Sequence, residues 1–362
     1  MAERQAIAAA IKRASNAAQA AMQQLDEHTA AELVAAYEAA AEQIRAAIAQ
    51  AAQGQGRVHV NALQGLLAQV TGVLEALGTR RRDLILAAVD EAAALGVEPL
   101  AAVYEALGGA PAGAEAPRVH VERAAQFVRE FVDADGLSLS DRLWRVGRGA
   151  RDAVTGVIEQ AVVRGWSADQ AALQLITQGR PVPSTTTSAQ KASGVDEVMK
   201  AADLLQDASG SPLASALRVA RTEVNRAHGE GYMASMEAVP GLVGFRFLLS
   251  PRHPRPDICD LLARQNLHGL GPGVYPDRKS CPWPAHPNTL SFVVAVLDHQ
   301  VSDEDRAGRE TTLQALDRLG PEIRAGVLGP TKASYFDRGL LTTGMVRSTV
   351  GAVKRRLDGR RA

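Results

Sequence analysis

Apolar positions three and four apart dominate the first fifty residues. Ile7, Ile11, Leu25, Leu33, Val34, Tyr37, Ile44 and Ile48 recur among alanines and charges over 4–50, which predicts a long helix. Gly54-Gln55-Gly56 predicts its end. Val60, Leu63, Leu67, Val70, Leu74 and Leu77 then alternate these spacings, a heptad-like seam that buries one stripe against a partner helix. Gly78-Thr79 and the basic Arg80-Arg81-Arg82 predict an interruption. A helical hairpin or bundle therefore fits better than a long autonomous coiled coil.

The stretch 108–117, rich in Gly, Ala and Pro, reads as a linker, followed by helix over 118–133. Gly136 to Trp144 combines a turn with an N-cap signal for a helix running to about Val163. Ser167-Ala168-Asp169-Gln170 has the capping-box pattern and predicts a short helix through Ile176. Prolines and a Ser/Thr run mark 178–193 as a second connection, and helical runs follow at about 194–207 and 212–238. Only then does the period change. Val243 to Leu249 and Ser291 to Leu297 are strand-like, with turn-rich sequence between them, and helix returns after Ser302. The expected fold is mainly α with a small α+β domain. Its segments are helical 1–107, the linker 108–117, helical 118–177, the linker 178–193, an α+β unit at 194–300 and a C-terminal helical element with a basic tail at 301–362.

Composition narrows the partners. Forty basic and forty acidic residues cancel, so no global field draws the chain to nucleic acid or anionic membrane, and such contacts must be local. The local candidates are Lys354, Arg355, Arg356, Arg360 and Arg361 near the C-terminus. No apolar run approaches the roughly 20 residues of a membrane span, and the first residues lack a signal-peptide core. Two cysteines do not make a disulfide framework, which favours synthesis in a reducing cytoplasm.

Both cysteines and four of the eight histidines fall between Arg221 and Asp298. Arg221, Thr222 and Glu223 lie on a predicted helix, where Arg221 shares a face with Asn225 and His228. An Arg/Glu pair just before a small sheet is expected to anchor the sheet's loops. Cys259, Cys281 and His286, with Asp257, His253 or His268, offer donors for zinc. Their spacing is loose, and the Cys-x-x-Cys knuckle is absent. The expectation is no cofactor, with zinc as the alternative. A Cys/His nucleophile would need an orienting group and an oxyanion site, neither of which the sequence displays. Gly269-Leu270-Gly271-Pro272-Gly273 contains a proline and opens no helix, so it is not a phosphate-cradling loop.

The order Ala220-Arg221-Thr222-Glu223, a strand, Asp257 and Cys259, His268-Gly269, then His286-Pro287 resembles the phage Mu F-like domain of minor capsid (head morphogenesis) proteins. The resemblance covers about residues 130–345, with its core at 218–298, and extends to a Leu-Gly turn at Leu328-Gly329 that starts a helix in the family. It implies a structural motif of Arg221, Thr222, Glu223, Asp257, His286 and Pro287. Two departures stand out: Asn288-Thr289-Leu290-Ser291 occupies the place of the family's Cys-Arg-Cys segment, and Leu262 that of a second knuckle cysteine. If relatives hold a metal through those cysteines, this chain has lost ligands for it.

The resemblance implies a minor head protein of a tailed phage or prophage-like particle. Its partners would be the portal, scaffold or major capsid protein and packaged DNA, its place the head interior or portal vertex, with no membrane involved. The competing expectation is an enzyme on the same α+β unit, a nucleotide-using transferase or nuclease acting through Arg221, Glu223 and His286.

Overall fold

The computed structural model describes residues 2–52, 60–132, 136–163, 211–251, 253, 255–286, 289 and 291–358. Gly54–Gly56, the Ser167 capping box, the 178–193 connection, the 194–207 run, Pro287, Arg360 and Arg361 lie outside them. The described elements are α1 (Ala2–Ala52), α2 (Val60–Ala106), α3 (Pro117–Glu130), α4 (Leu139–Val163), α5 (Pro212–Met236), β1 (Leu242–Leu248), α6 (Ile258–Arg264), β2 (Val274–Tyr275), β3 (Phe292–Leu297), α7 (Asp303–Ala307), α8 (Thr312–Arg318), α9 (Gly320–Asp337) and α10 (Val350–Asp358). The fold is mainly α with one small antiparallel sheet, ordered β2-β1-β3.

The helix ends follow local chemistry. Ser138 caps α4: its hydroxyl accepts the Asp141 N–H, while the Asp141 carboxylate accepts the Ser138 N–H at 3.0 Å. The interruption expected at Gly78-Thr79 is absent, and α2 runs through it. One glycine costs a helix only about 1 kcal/mol, which the burial of Val70, Leu74, Leu77 and Ile85 along the same helix outweighs.

Two compact units divide the chain, and their boundaries differ from the linear segments. The first comprises Met1–Met22, Ala92–Ala125 and Asn225–Ala362; the second comprises Gln23–Glu91 and Gln126–Val224. The 108–117 stretch is a turn-rich connection from α2 to α3 inside the first unit.

In the second unit, Arg81 of α2 is buried and donates to the Tyr37 hydroxyl at 3.2 Å and the Leu143 carbonyl at 2.9 Å. Arg221 grips Asp26 of α1 at 3.1 Å, and the fully buried Glu223 accepts from Arg142 of α4 at 2.6 Å. Arg221 and Glu223 thus each bind a long-range helical partner.

The first unit builds its core from Ile7 and Ile11 of α1, Leu100 and Val103 of α2, Tyr232 and Met236 of α5, and the inward face of the sheet. Along β1, Phe245 and Phe247 are buried while Arg246 between them is not, the alternation of a half-covered strand. Tyr232 ties the layers together: its hydroxyl receives the Ala295 N–H of β3 at 2.8 Å and the Ser15 hydroxyl of α1 at 3.2 Å.

Helices α2 and α5 meet through glycines. A Cβ on Gly96 would sit 2.2 Å from the His228 carbonyl oxygen, and one on Gly231 would sit 2.7 Å from that of Ala93. Glycine is the only residue that permits this approach. The contact also buries the His228 ring, and loss of water pushes its pKa down to about 4.

Gly96→Ala should destabilise by about 1–3 kcal/mol or more through overpacking. At Gly72 of the same helix an added methyl meets nothing within 4 Å, so Gly72→Ala should stabilise by roughly 0.5–1 kcal/mol; urea unfolding of both variants checks the contrast. The buried histidine sets a pH dependence as well. Below its ordinary value of 6.5 the unfolded chain takes up a proton that the folded ring refuses until about pH 4. Stability should therefore fall as pH drops through that window, by about 3 kcal/mol in all. His228→Leu should remove this part of the slope when unfolding is followed from pH 7 to pH 4.

Candidate functional site

The turn-rich stretch between the long strands is more ordered than its composition suggests. It contains α6 and the two-residue strand β2. Asp257 caps α6, its side chain accepting the Cys259 N–H at 2.7 Å while Asp260 accepts the Asp257 N–H at 3.0 Å. The sequence signal was present in Asp257-Ile258-Cys259-Asp260, a reciprocal cap followed by apolar Leu261 and Leu262. Helix α6 then packs in two directions. Cys259 and Leu262 enter the main core, and Leu261 joins Leu316, Val327, Leu328 and Met345 from the C-terminal helices. Gly326 of α9 lies against Pro256, where a Cβ would be 2.5 Å from the carbonyl oxygen. Leu328 leads into Gly329, whose φ of 69° breaks α9 into two helical pieces at the expected Leu-Gly turn.

The loop into β3 is held by α5. The Asn225 amide donates to the Thr289 carbonyl at 2.9 Å, and the Trp283 indole N–H donates to the Asn225 carbonyl at 3.3 Å. The indole fits because residue 229 is glycine: a Cβ there would lie 1.9 Å from its nitrogen. Asn225 and Gly229 thus help to anchor the loop into β3.

These contacts bring Asp257, Cys259 and His286 together. His286 Nε2 lies 3.2 Å from the Cys259 sulfur and 3.2 Å from Asp257 Oδ2, and the Thr289 hydroxyl lies 3.7 Å from the same sulfur. Next to them, His253 Nε2 is 2.9 Å from Asp260 Oδ2, and Arg264 is 3.2 Å from the other oxygen of that carboxylate. Asp257 belongs to both groups, with its Oδ1 3.7 Å from His253. Cys259 is almost wholly buried, whereas His286 is about one-third exposed. Burial pushes the Cys259 thiol up to about 11, partly offset by the neighbouring Ser291 and Thr289 hydroxyls. With no metal beside it, this sulfur is a protonated thiol at neutral pH rather than the thiolate that nucleophilic attack requires.

As a metal seat, the cluster supplies three donors within 4.8 Å of one another, Asp257, Cys259 and His286. Among the described residues, Cys281 belongs to no such group. It lies in the apolar core, where burial raises its thiol to about 12. His268 is likewise outside the groups and packs edge-on against Tyr275. A closed structural zinc site takes four N, S or carboxylate ligands, and beside Cys259 this chain presents a threonine hydroxyl instead. Among the described residues, this group of three is one ligand short of such a site.

In comparisons with known proteins, no family model, no curated protein and no solved structure matches this chain. The arrangement must be interpreted from its own chemistry: a short capped helix, a neutral thiol and a partly exposed imidazole gathered at one carboxylate.

Thr289→Cys places a second sulfur beside the first. Against a chromophoric chelator, the variant should retain close to one equivalent of zinc and the unaltered protein less than about half. Equal retention by the two would show that Thr289 is not the missing corner.

Proposed function

We propose that this protein is a structural minor head protein of a tailed phage or prophage-like particle, associated with the portal during procapsid assembly. The observation that carries the reading is the convergence of Asp257, Cys259 and His286, separate positions in the stretch that resembles the Mu F-like domain, on one hydrogen-bonded cluster. Their chemistry suits bracing. A carboxylate caps a helix, a protonated thiol meets an imidazole, and the imidazole fastens the loop that leads into β3. The chain also has long alanine-rich helices, a form suited to insertion among portal, scaffold or major capsid subunits.

The enzyme alternative draws on Arg221, Glu223 and His286. Glu223 is fully buried and paired with Arg142, and Arg221 is paired with Asp26, so both charges already have partners. No observation favours that alternative over bracing. The reading includes no cofactor. For packaged DNA, the local surface would be α10, where Lys354, Arg355 and Arg356 are exposed while Val353 is buried. Exposed cations of this kind meet phosphates without base specificity. The place of action would be the head interior or the portal vertex, after synthesis in the host cytoplasm.

Co-expression with portal and major capsid proteins tests the proposal. The chain should sediment with assembled particles, and His286→Ala should reduce its incorporation several-fold while leaving its helical circular dichroism intact. A chain that stays in the soluble fraction sinks the structural reading. So does nucleotide turnover that His286→Ala abolishes.

A further inference from the structure

The second unit contains a groove of about 1220 Å³ between α2 and α4, apart from the cluster just described. Its apolar lining comes from Leu74 and Leu86 of α2 and from Leu139, Leu143 and Trp144 of α4. From Leu74 to Leu86 the α2 wall is about 18 Å long, and from Leu139 to Asp152 the α4 wall is about 20 Å, at 1.5 Å per residue. Trp144 is 60% exposed, an unusual state for so large an apolar surface, and the Arg148 guanidinium lies 5.3 Å above its ring.

The charges along the groove are of two kinds. Four of its arginines already have a carboxylate: Arg82 with Asp83, Arg129 with Asp90, Arg148 with Asp152 and Arg151 with Glu75. Arg81 differs. It lines the groove at 3% exposure and donates only to uncharged oxygens, those of Tyr37 and Leu143. Among the described residues no carboxylate pairs with it, and its Nε has no hydrogen-bond partner. The guanidinium packs against α4, where a Cβ on Gly147 would lie 2.9 Å from it. A buried cation without a counter-charge is costly, and an incoming carboxylate would offset that cost.

We propose that this groove docks an amphipathic helix of a partner protein, with apolar residues along Leu74, Leu86 and Trp144 and one acidic side chain reaching Arg81. The length suits about twelve residues of helix, three turns with anchors at positions three and four apart. The rim argues against a nucleic acid, because a polyanion would have to break four existing ion pairs to gain more than one free cation. Tryptophan and arginine beside an apolar floor are the residues that dominate protein–protein contacts. Nothing in this proposal depends on the Mu F-like reading.

Fluorescence anisotropy on the full chain tests it with two labelled alanine-based peptides of about twelve residues. Both carry leucines at heptad spacing; one has a central glutamate and the other a lysine in its place. The glutamate peptide should bind at least roughly tenfold more tightly, and Trp144→Ala, an exposed position that should leave the fold intact, should weaken it roughly tenfold. Arg81→Lys should narrow the difference between the peptides. Equal binding of the two peptides, binding by neither, or an unchanged affinity in Trp144→Ala overturns the proposal. Displacement of the glutamate peptide by an oligothymidylate assigns the groove to nucleic acid instead and overturns it equally.

Discussion

The seat of α5 against α2 is the constraint on which the first unit depends. Gly96 and Gly231 let the backbones approach until a single methyl would collide with a carbonyl, and Gly229, two residues before Gly231, receives the Trp283 indole. Every later contact is referred to that helix. Tyr232 holds β3 and α1, and Asn225 holds the loop that carries Thr289. Were α5 to move outward by the width of a side chain, the tyrosine hydroxyl would lose both donors together. Packing of this kind tolerates little adjustment, because interiors are filled at crystal-like density.

Around that helix the polar groups divide by what they face. Glu223 and Arg142 form a charged pair in a nearly dry setting, which stabilises only while both partners remain. His228 is kept neutral by burial. Cys259 is also held neutral, although a histidine and a carboxylate lie within reach of its environment. Desolvation outweighs the nearby hydrogen bonds there. This balance separates a brace from a reactive thiol, since thiolate chemistry needs electropositive and partly open surroundings.

Much of the fold could be read from periodicity. The seams of α1 and α2, the Ser138 cap and the alternation in β1 each leave a local signature. Helix α6 was readable too, through Asp257 and Asp260, but its seven residues lay among prolines and glycines that suggested only turns. The partners of the Arg-Thr-Glu segment were not readable. Asp26 is 195 residues from Arg221 and Arg142 is 81 from Glu223, and no local pattern encodes such pairings. Cys281 misled for a related reason: cysteine is at once a ligand and a small apolar residue, and only burial shows which role applies. The convergence of Asp257, Cys259 and His286 was partly visible as a cluster along the chain, while the place of Thr289 beside the sulfur required the fold. Asn225 and Gly229 were hidden as an ordinary polar residue and a helix-weakening one.

The double-sided packing of α6 bears on how the first unit opens. Leu261 enters one apolar cluster while Cys259 and Leu262 enter another, and the amide of Cys259 is bonded to the Asp257 carboxylate at the helix start. A local fluctuation that freed this helix would have to strip both clusters together. The helix, the sheet and the C-terminal helices therefore belong to one cooperative unit. Its amides should exchange with solvent deuterium at the rate of the slowest opening, unlike those of a short helix resting on a single face.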